Sequence, residues 1–289
     1  MKKRTFIVGL ALLSFIMLMA ASIQSSDKIN ELYVFGDSLS DTGNVFRATG
    51  GTHPPSPPYF QGRFSNGLVW VEYLASMLEL NLKPNTNFSY GGATTGEVSM
   101  NGVPGLLAQV DSLTKANRKA NPNALYILWA GANDYLYGAA NPTQSIEDLL
   151  RAVESLVKVG AKKIMVANLP DLGKVPATSH HPNSTILTSL TIAHNLSLAK
   201  SLDILNQKLD SHTQIIEFDV NSLYKEAITN PEKFGLTNVT TACLNNLTTC
   251  DRPENFLFWD GIHPTTTAHR ILAEAAFKRL SISSSLKFL

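Results

Sequence analysis

Apolar and polar positions along this chain switch repeatedly between a strand-like and a helical period. Residues 31–36, "ELYVFG", form a short apolar run of the kind buried on both faces of a sheet, and residues 67–80, "GLVWVEYLASMLEL", repeat at helical spacing. A weaker strand pattern follows at "TNFSYGG" (86–92), then a helix from about Pro104 to Lys119. "ALYILWAGAND" (124–134) is the clearest strand, and it leads into a helix that starts on Thr143 as N-cap and closes on Gly160. "KKIMVANLP" is another continuous apolar strand, and a long helical pattern runs from Thr185 to Leu209. A fifth strand, "TQIIEFDV", precedes helices at Leu223 to Ile228 and Thr265 to Leu280. Strands alternating with helices predict a parallel sheet covered on both faces, an α/β fold with five strands. No internal repeat, low-complexity block or linker interrupts the pattern, so residues 23–289 read as a single domain.

The N-terminus stands apart. Lys2, Lys3 and Arg4 precede an apolar run from Phe6 to Ala21, which ends on the small residues Ala20, Ala21 and Ser22. Sixteen residues fall short of the roughly 20 needed to span a bilayer, so residues 1–22 read as a cleaved signal peptide and the protein as secreted. Without those three basic residues, twenty-one Lys and Arg face twenty-three Asp and Glu, a net charge of about −2. That balance excludes nucleic acid as a partner. In an exported protein the two cysteines, Cys243 and Cys250, read as a disulfide whose short ring contributes roughly 2–3 kcal/mol. Its polar tip, about ten residues before Asp260, can be read as a staple or as a protease-sensitive loop gating the site.

Candidate chemistry collects where strands end. In "LYVFGDSLSDTGN" Ser38 stands at the end of the first strand, although the G-x-S-x-G pattern of the nucleophile elbow is absent. The glycines of "YGGATTG" allow a backbone N–H to face a ligand, "GANDY" places the amide of Asn133 at the same edge, and "FWDGIHPT" sets Asp260 three residues before His263. A hydroxyl, an imidazole, a carboxylate and neutral donors are the parts that ester hydrolysis through an acyl-enzyme requires. Two other readings are weaker. Glu97 follows Gly96 where a phosphate-binding loop needs Lys. The acidic groups Asp37, Asp41 and Asp260 with His263 lack metal-ligand spacing, so no metal and no other cofactor is expected. His53, His180, His181, His194 and His269 read as solvated or structural. The Gly- and Pro-rich stretch at 50–67 cannot be regular structure, and its Tyr59, Phe60 and Phe64 are candidates to wall a pocket.

Four blocks in this order, "FGDSLSDTGN", "NFSYGGATT", "WAGANDY" and "DGIHPT", span nearly the whole chain beyond the leader and resemble the blocks of the GDSL esterase/lipase family, or SGNH hydrolases. The resemblance is strongest to secreted bacterial phospholipases and lysophospholipases A of the glycerophospholipid:cholesterol acyltransferase type. It implies a three-layer α/β/α sandwich, with Ser38 as nucleophile, His263 as general base and Asp260 as its partner. It further implies an oxyanion hole made of the N–H groups of Ser38 and Gly92 and the side-chain amide of Asn133, with Gly91 as the alternative to Gly92. The expected substrates are acyl esters of phospholipids or lysophospholipids, met in transient contact with a membrane surface, with a sterol as a conceivable acyl acceptor. The other classes left open are an esterase for short-chain or carbohydrate esters and a non-catalytic lipid- or glycan-binding protein.

Overall fold

The computed structural model describes residues 28–285 apart from 100, 101, 117, 118 and 247, so the leader read at residues 1–22 lies outside the described residues. Strands β1 (Glu31–Gly36), β2 (Ala124–Trp129), β3 (Lys163–Ala167) and β4 (Gln214–Phe218) lie side by side in that order, all parallel. Among the described residues eight α-helices connect and cover the strands: α1 (Asn44–Ala48), α2 (Trp70–Met77), α3 (Leu106–Ala116), α4 (Ala132–Leu136), α5 (Thr143–Lys158), α6 (Ser184–Lys208), α7 (Val220–Thr229) and α8 (Thr266–Ser285).

Successive side chains of a strand point to opposite faces, and here both faces are buried. Val34, Ile127, Met165 and Ile216 pack into one core with α2, α7 and α8, whereas Phe35, Leu128 and Val166 pack into a second with α3 and α5. This is why the strands read as unbroken apolar runs. Helix α6 contributes Leu187 to the first core and Leu198 and Leu202 to the second. Among the described residues no helix is long and apolar enough to cross a membrane.

The sheet has four strands where five were expected. Residues 86–92 do run beside β1, with the Phe88 and Tyr90 N–H groups donating to Val34 O (2.7 Å) and Gly36 O (3.1 Å). The ladder stops there because the buried amide of Gln109 intervenes: its Oε1 accepts from Gly36 N (2.8 Å) and its Nε2 donates to Gly36 O (2.9 Å). The segment is thus an extended edge, free to bend at its glycines.

A small second sheet was not legible in the threonine- and asparagine-rich sequence. Strand β5 (Asn238–Ala242) pairs with β8 (Phe256–Phe258), and the hairpin of β6 (Leu244–Asn245) and β7 (Thr248–Thr249) lies between them in sequence. Cys243 and Cys250 form the expected disulfide across that hairpin. Cys243 N donates to Phe258 O (3.1 Å) and Leu244 N to Trp259 O (2.6 Å), so the clasp holds the backbone that leads into Asp260.

Candidate active site

Three chain turns converge at the C-terminal edge of the sheet, the edge at which open α/β folds gather ligands. Ser38 follows β1, Asn133 sits in the first turn of α4 just after β2, and the turn from Asp260 to His263 connects β8 to α8. Ser38 Oγ lies 2.9 Å from His263 Nε2, and His263 Nδ1 lies 2.7 Å from Asp260 Oδ2. The three-residue spacing produces this geometry locally: Asp260 Oδ1 accepts from the backbone N–H groups of Ile262 (2.8 Å) and His263 (2.7 Å), which fixes the carboxylate beneath the ring. Pro264 then leads into α8.

A fourth group joins this chain. Tyr59 Oη donates to Asp260 Oδ2 at 2.6 Å, from a loop 201 residues earlier, and stands edge-on to Trp259. Of the three aromatics expected to wall a pocket, Phe64 does so, with its ring 5.2 Å from the imidazole. Phe60 instead lies under the guanidinium of Arg63, 5.8 Å away. His53 is exposed and packs edge-on to Phe64 at the cavity wall, closer to the site than its sequence context implied. His194 and His269 are interior groups, bonded to Tyr135 Oη (2.8 Å) and Trp70 N (3.2 Å) respectively. Burial drives both down, to about 4 and about 3, so they stay neutral.

The electrostatics divide proton affinity between the two partners of the pair. Burial works to raise Asp260, but the adjoining His263 charge and the donors on its oxygens outweigh it and hold the carboxyl far below the usual range. Burial works to lower His263, yet Asp260 and then Asp37 outweigh it and lift the imidazole above its ordinary value. Asp37 itself, fully enclosed beside Ser38, is pushed up by burial to about 7 although Leu39 N donates to its Oδ1 (3.0 Å).

Neutral donors line the same cavity. Gly91 N donates to Asp41 Oδ2 (2.9 Å), while the N–H groups of Ser38 and Gly92 have no acceptor among the described residues. Gly92 is the member of the pair with its backbone in the left-handed region, φ +83°, which its lack of a Cβ permits. One amide proton of Asn133 Nδ2 is held by Ala93 O (2.9 Å), which orients the amide and leaves its second proton.

Asp41 and Asn44, the later part of the "GDSLSDTGN" stretch, assemble these donors. The Asp41 carboxylate accepts from four backbone N–H groups, those of Gly43, Asn44, Val45 and Gly91, and burial raises its pKa against them. Asn44 Nδ2 donates to Asn87 O (3.0 Å) and Ser89 O (2.8 Å), tying the edge segment to the Ser38 loop. Asp134, next to Asn133, accepts from Thr95 Oγ1 (2.6 Å) and Ser145 Oγ (3.2 Å) and braces the far end of that segment. A polar residue in a turn-rich motif was the available signal for these roles, but nothing in its spacing revealed the partner.

Ser38, Gly92, Asn133 and His263 line one cavity of about 750 Å³, with Asp260 behind the imidazole. Leu39, Val45, Phe64, Val103, Leu136 and Ile262 make most of the remaining wall apolar. A carbonyl carbon placed beside Ser38 Oγ would set its oxygen toward the free N–H groups, an arrangement fit for acyl transfer.

The family profile described as GDSL-like lipase/acylhydrolase matches residues 32–276. Over 90% of the chain the sequence is 32% identical to the thermolabile hemolysin of Vibrio parahaemolyticus, of which it spans 65%, a little under two thirds. It is 29% identical, again over 90% of the chain, to the phosphatidylcholine-sterol acyltransferase of Aeromonas hydrophila, of which it spans 93%. The fold is similar to that of a carbohydrate acetylesterase from Sinorhizobium meliloti, with a TM-score of 0.54 at 15% identity, covering 88% of this chain and 99% of that one.

Proposed function

The chain belongs to the GDSL-like lipase/acylhydrolase family, and on that premise we propose that it is an exported hydrolase of lipid acyl esters, phospholipids or lysophospholipids, acting through an acyl-enzyme on Ser38. The observation that carries the reading is the unbroken line from Ser38 Oγ through His263 to Asp260, at 2.9 and 2.7 Å, beside two backbone N–H groups without acceptors. The basic-then-apolar leader at residues 1–22 supports export. The apolar cavity wall, exposed Ile262 and Tyr137 at its rim, and the kinship with an enzyme named for phosphatidylcholine and sterol support lipid substrates met at a membrane surface.

In this mechanism His263 Nε2 takes the Ser38 proton as Oγ bonds to the ester carbonyl carbon. The carbonyl oxygen becomes an oxyanion that accepts from Ser38 N–H, Gly92 N–H and Asn133 Nδ2. Asp260 stabilises the imidazolium, which then returns its proton to the departing alkoxide as the carbon–oxygen bond breaks. Water, deprotonated by the same imidazole, bonds to the acyl carbon; the bond to Ser38 Oγ breaks, Oγ regains the proton from His263, and the fatty acid leaves. An alcohol such as a sterol, in place of water, yields a new ester.

Removal of one oxyanion donor typically costs about 100- to 1000-fold. Asn133→Ala is therefore expected to lower kcat by that factor with KM little changed, as steady-state hydrolysis of a p-nitrophenyl ester would show. An unchanged kcat would remove Asn133 from the oxyanion hole.

Tyr59 is a positioning residue in this scheme. Tyr59→Phe deletes one hydrogen bond to a charged group, about 1.5 kcal/mol, so kcat should fall roughly tenfold at constant KM. The unshielded Asp260 then holds the His263 proton more tightly, and the acid limb of the pH profile moves to higher pH. A fall in kcat without that movement would make Tyr59 only part of the scaffold.

Substrate class is tested by incubating the pure protein with phospholipids, lysophospholipids and short-chain esters, with and without a sterol. Release of fatty acid from the lipids is the expected result. Turnover confined to the short or carbohydrate esters would replace the lipid reading.

A further inference from the structure

The cavity at Ser38 adjoins further hollows. Leu136, Ala177 and Thr178 belong to its wall and also to that of a second hollow of about 450 Å³. That hollow shares Ala140, Ile186 and Leu190 with a third, of about 410 Å³, along the N-terminal half of α6. Past Leu136 this path is lined by no Asp, Glu, Lys or Arg, and its one imidazole is His181 on the flank.

The helix that borders the path has a matching sequence. From Ser184 to Ala199, sixteen residues contain no Asp, Glu, Lys or Arg, although Ile186, Ile192 and Leu196 are 58%, 55% and 69% exposed. A solvated helix face ordinarily carries charge. Of the three exposed residues, Ile186 lies on the wall of the second and third hollows, and an uncharged, largely apolar lining beside a reaction cavity points to an apolar ligand.

From these shared walls we infer that the path from Ser38 past Ala177 to Ile186 and Leu190 is the subsite for a straight alkyl chain, the acyl group that Ser38 receives. The inference rests on the ester-hydrolase reading above and adds direction to it: the acyl chain leaves the site between α4 and α6, and the alcohol part lies elsewhere. Along α6 the stretch from Ile186 to Ala193 is about 10 Å long, so the path favours chains well beyond butanoyl. Ala177, exposed at the junction of the first two hollows, is the gate through which the chain passes.

Each methylene removed from water is worth roughly fourfold in kcat/KM, so several of them give p-nitrophenyl dodecanoate an advantage of about 100-fold over the butanoate. Ala177→Trp should reduce the dodecanoate advantage over the butanoate at least tenfold. Ile186→Asp, at an exposed helix position, should act in the same direction by placing a charge along the chain. Ile204→Asp, at an exposed position of the same helix that lines none of the three hollows, should leave the ratio unchanged. An unaltered ratio in the first two variants, or a collapse in Ile204→Asp alone, overturns the assignment. Calorimetric binding of dodecanoate to Ser38→Ala, weakened at least tenfold by Ala177→Trp, reads the subsite without turnover. A protein that hydrolyses neither ester would contradict the proposed function, while this binding difference would still decide the subsite; equal binding by the two proteins overturns it.

Discussion

Ser38→Ala is expected to lower kcat for ester hydrolysis by about a millionfold while leaving the fold intact. Ser38 is 9% exposed, and among the described residues its hydroxyl has one partner, His263 Nε2. Its deletion therefore opens no cavity of consequence and leaves only the acceptor His263 Nε2 without its partner. Residual hydrolysis would come from the donors that still bind the carbonyl oxygen, so KM should change little. Because nucleophile and base act as a unit, the Ser38→Ala, His263→Ala double variant should be no slower than either single one. Progress curves with a p-nitrophenyl ester, alongside circular dichroism, check both statements. Retention of even a hundredth of wild-type turnover in a folded Ser38→Ala protein would place the nucleophile elsewhere.

Asp260→Asn is expected to reduce kcat about 10⁴-fold at nearly constant volume. Asp260 now accepts from His263 Nδ1, from Tyr59 Oη and from the Ile262 and His263 N–H groups, and an amide in its place can present a donor to the ring and invert the tautomer. The pH profile separates this from simple disorder. Asp260 is the largest influence lifting His263, so without it the burial that lowers the imidazole dominates, and the base stays neutral to lower pH. The acid limb of kcat/KM should therefore move to lower pH while the plateau falls. In the wild type the same limb should lie above the ordinary histidine range, since Asp260 and Asp37 raise the group that must be deprotonated. A drop of less than tenfold, or an acid limb that stays in place, would deny Asp260 its part.

Legibility of the site followed the reach of each interaction. Asp260 and His263 stand three residues apart, and both the pairing and the turn that makes it are local, so their sequence alone pointed to a unit. Ser38 and His263 are 225 residues apart, and only the order of the four blocks related them. Tyr59 escaped notice as a partner of Asp260 because a tyrosine in a Pro-rich loop has many uses, and its partner lies 201 residues on. The choice between Gly91 and Gly92 was open in the sequence; in the fold Asp41 engages the first N–H, and the second is free.

The strands showed the same division. β2 is buried on both faces and reads as one apolar run, whereas residues 86–92 resemble a strand yet end as an edge because Gln109, later in the chain, takes the Gly36 N–H and shares Gly36 O with Tyr90 N. β5 is mostly polar and has no buried residue, and β8, though apolar, is only three residues long, so neither shows a period long enough to read as a strand.

Acyl transfer through Ser38 Oγ is open to a direct test: treatment of the protein with a fluorophosphonate, followed by peptide mass spectrometry. One adduct per chain is expected on the peptide that carries Ser38, with loss of ester hydrolysis in proportion to labelling and no adduct on Ser38→Ala. An adduct on another residue, or full hydrolysis by protein completely labelled at Ser38, would contradict it.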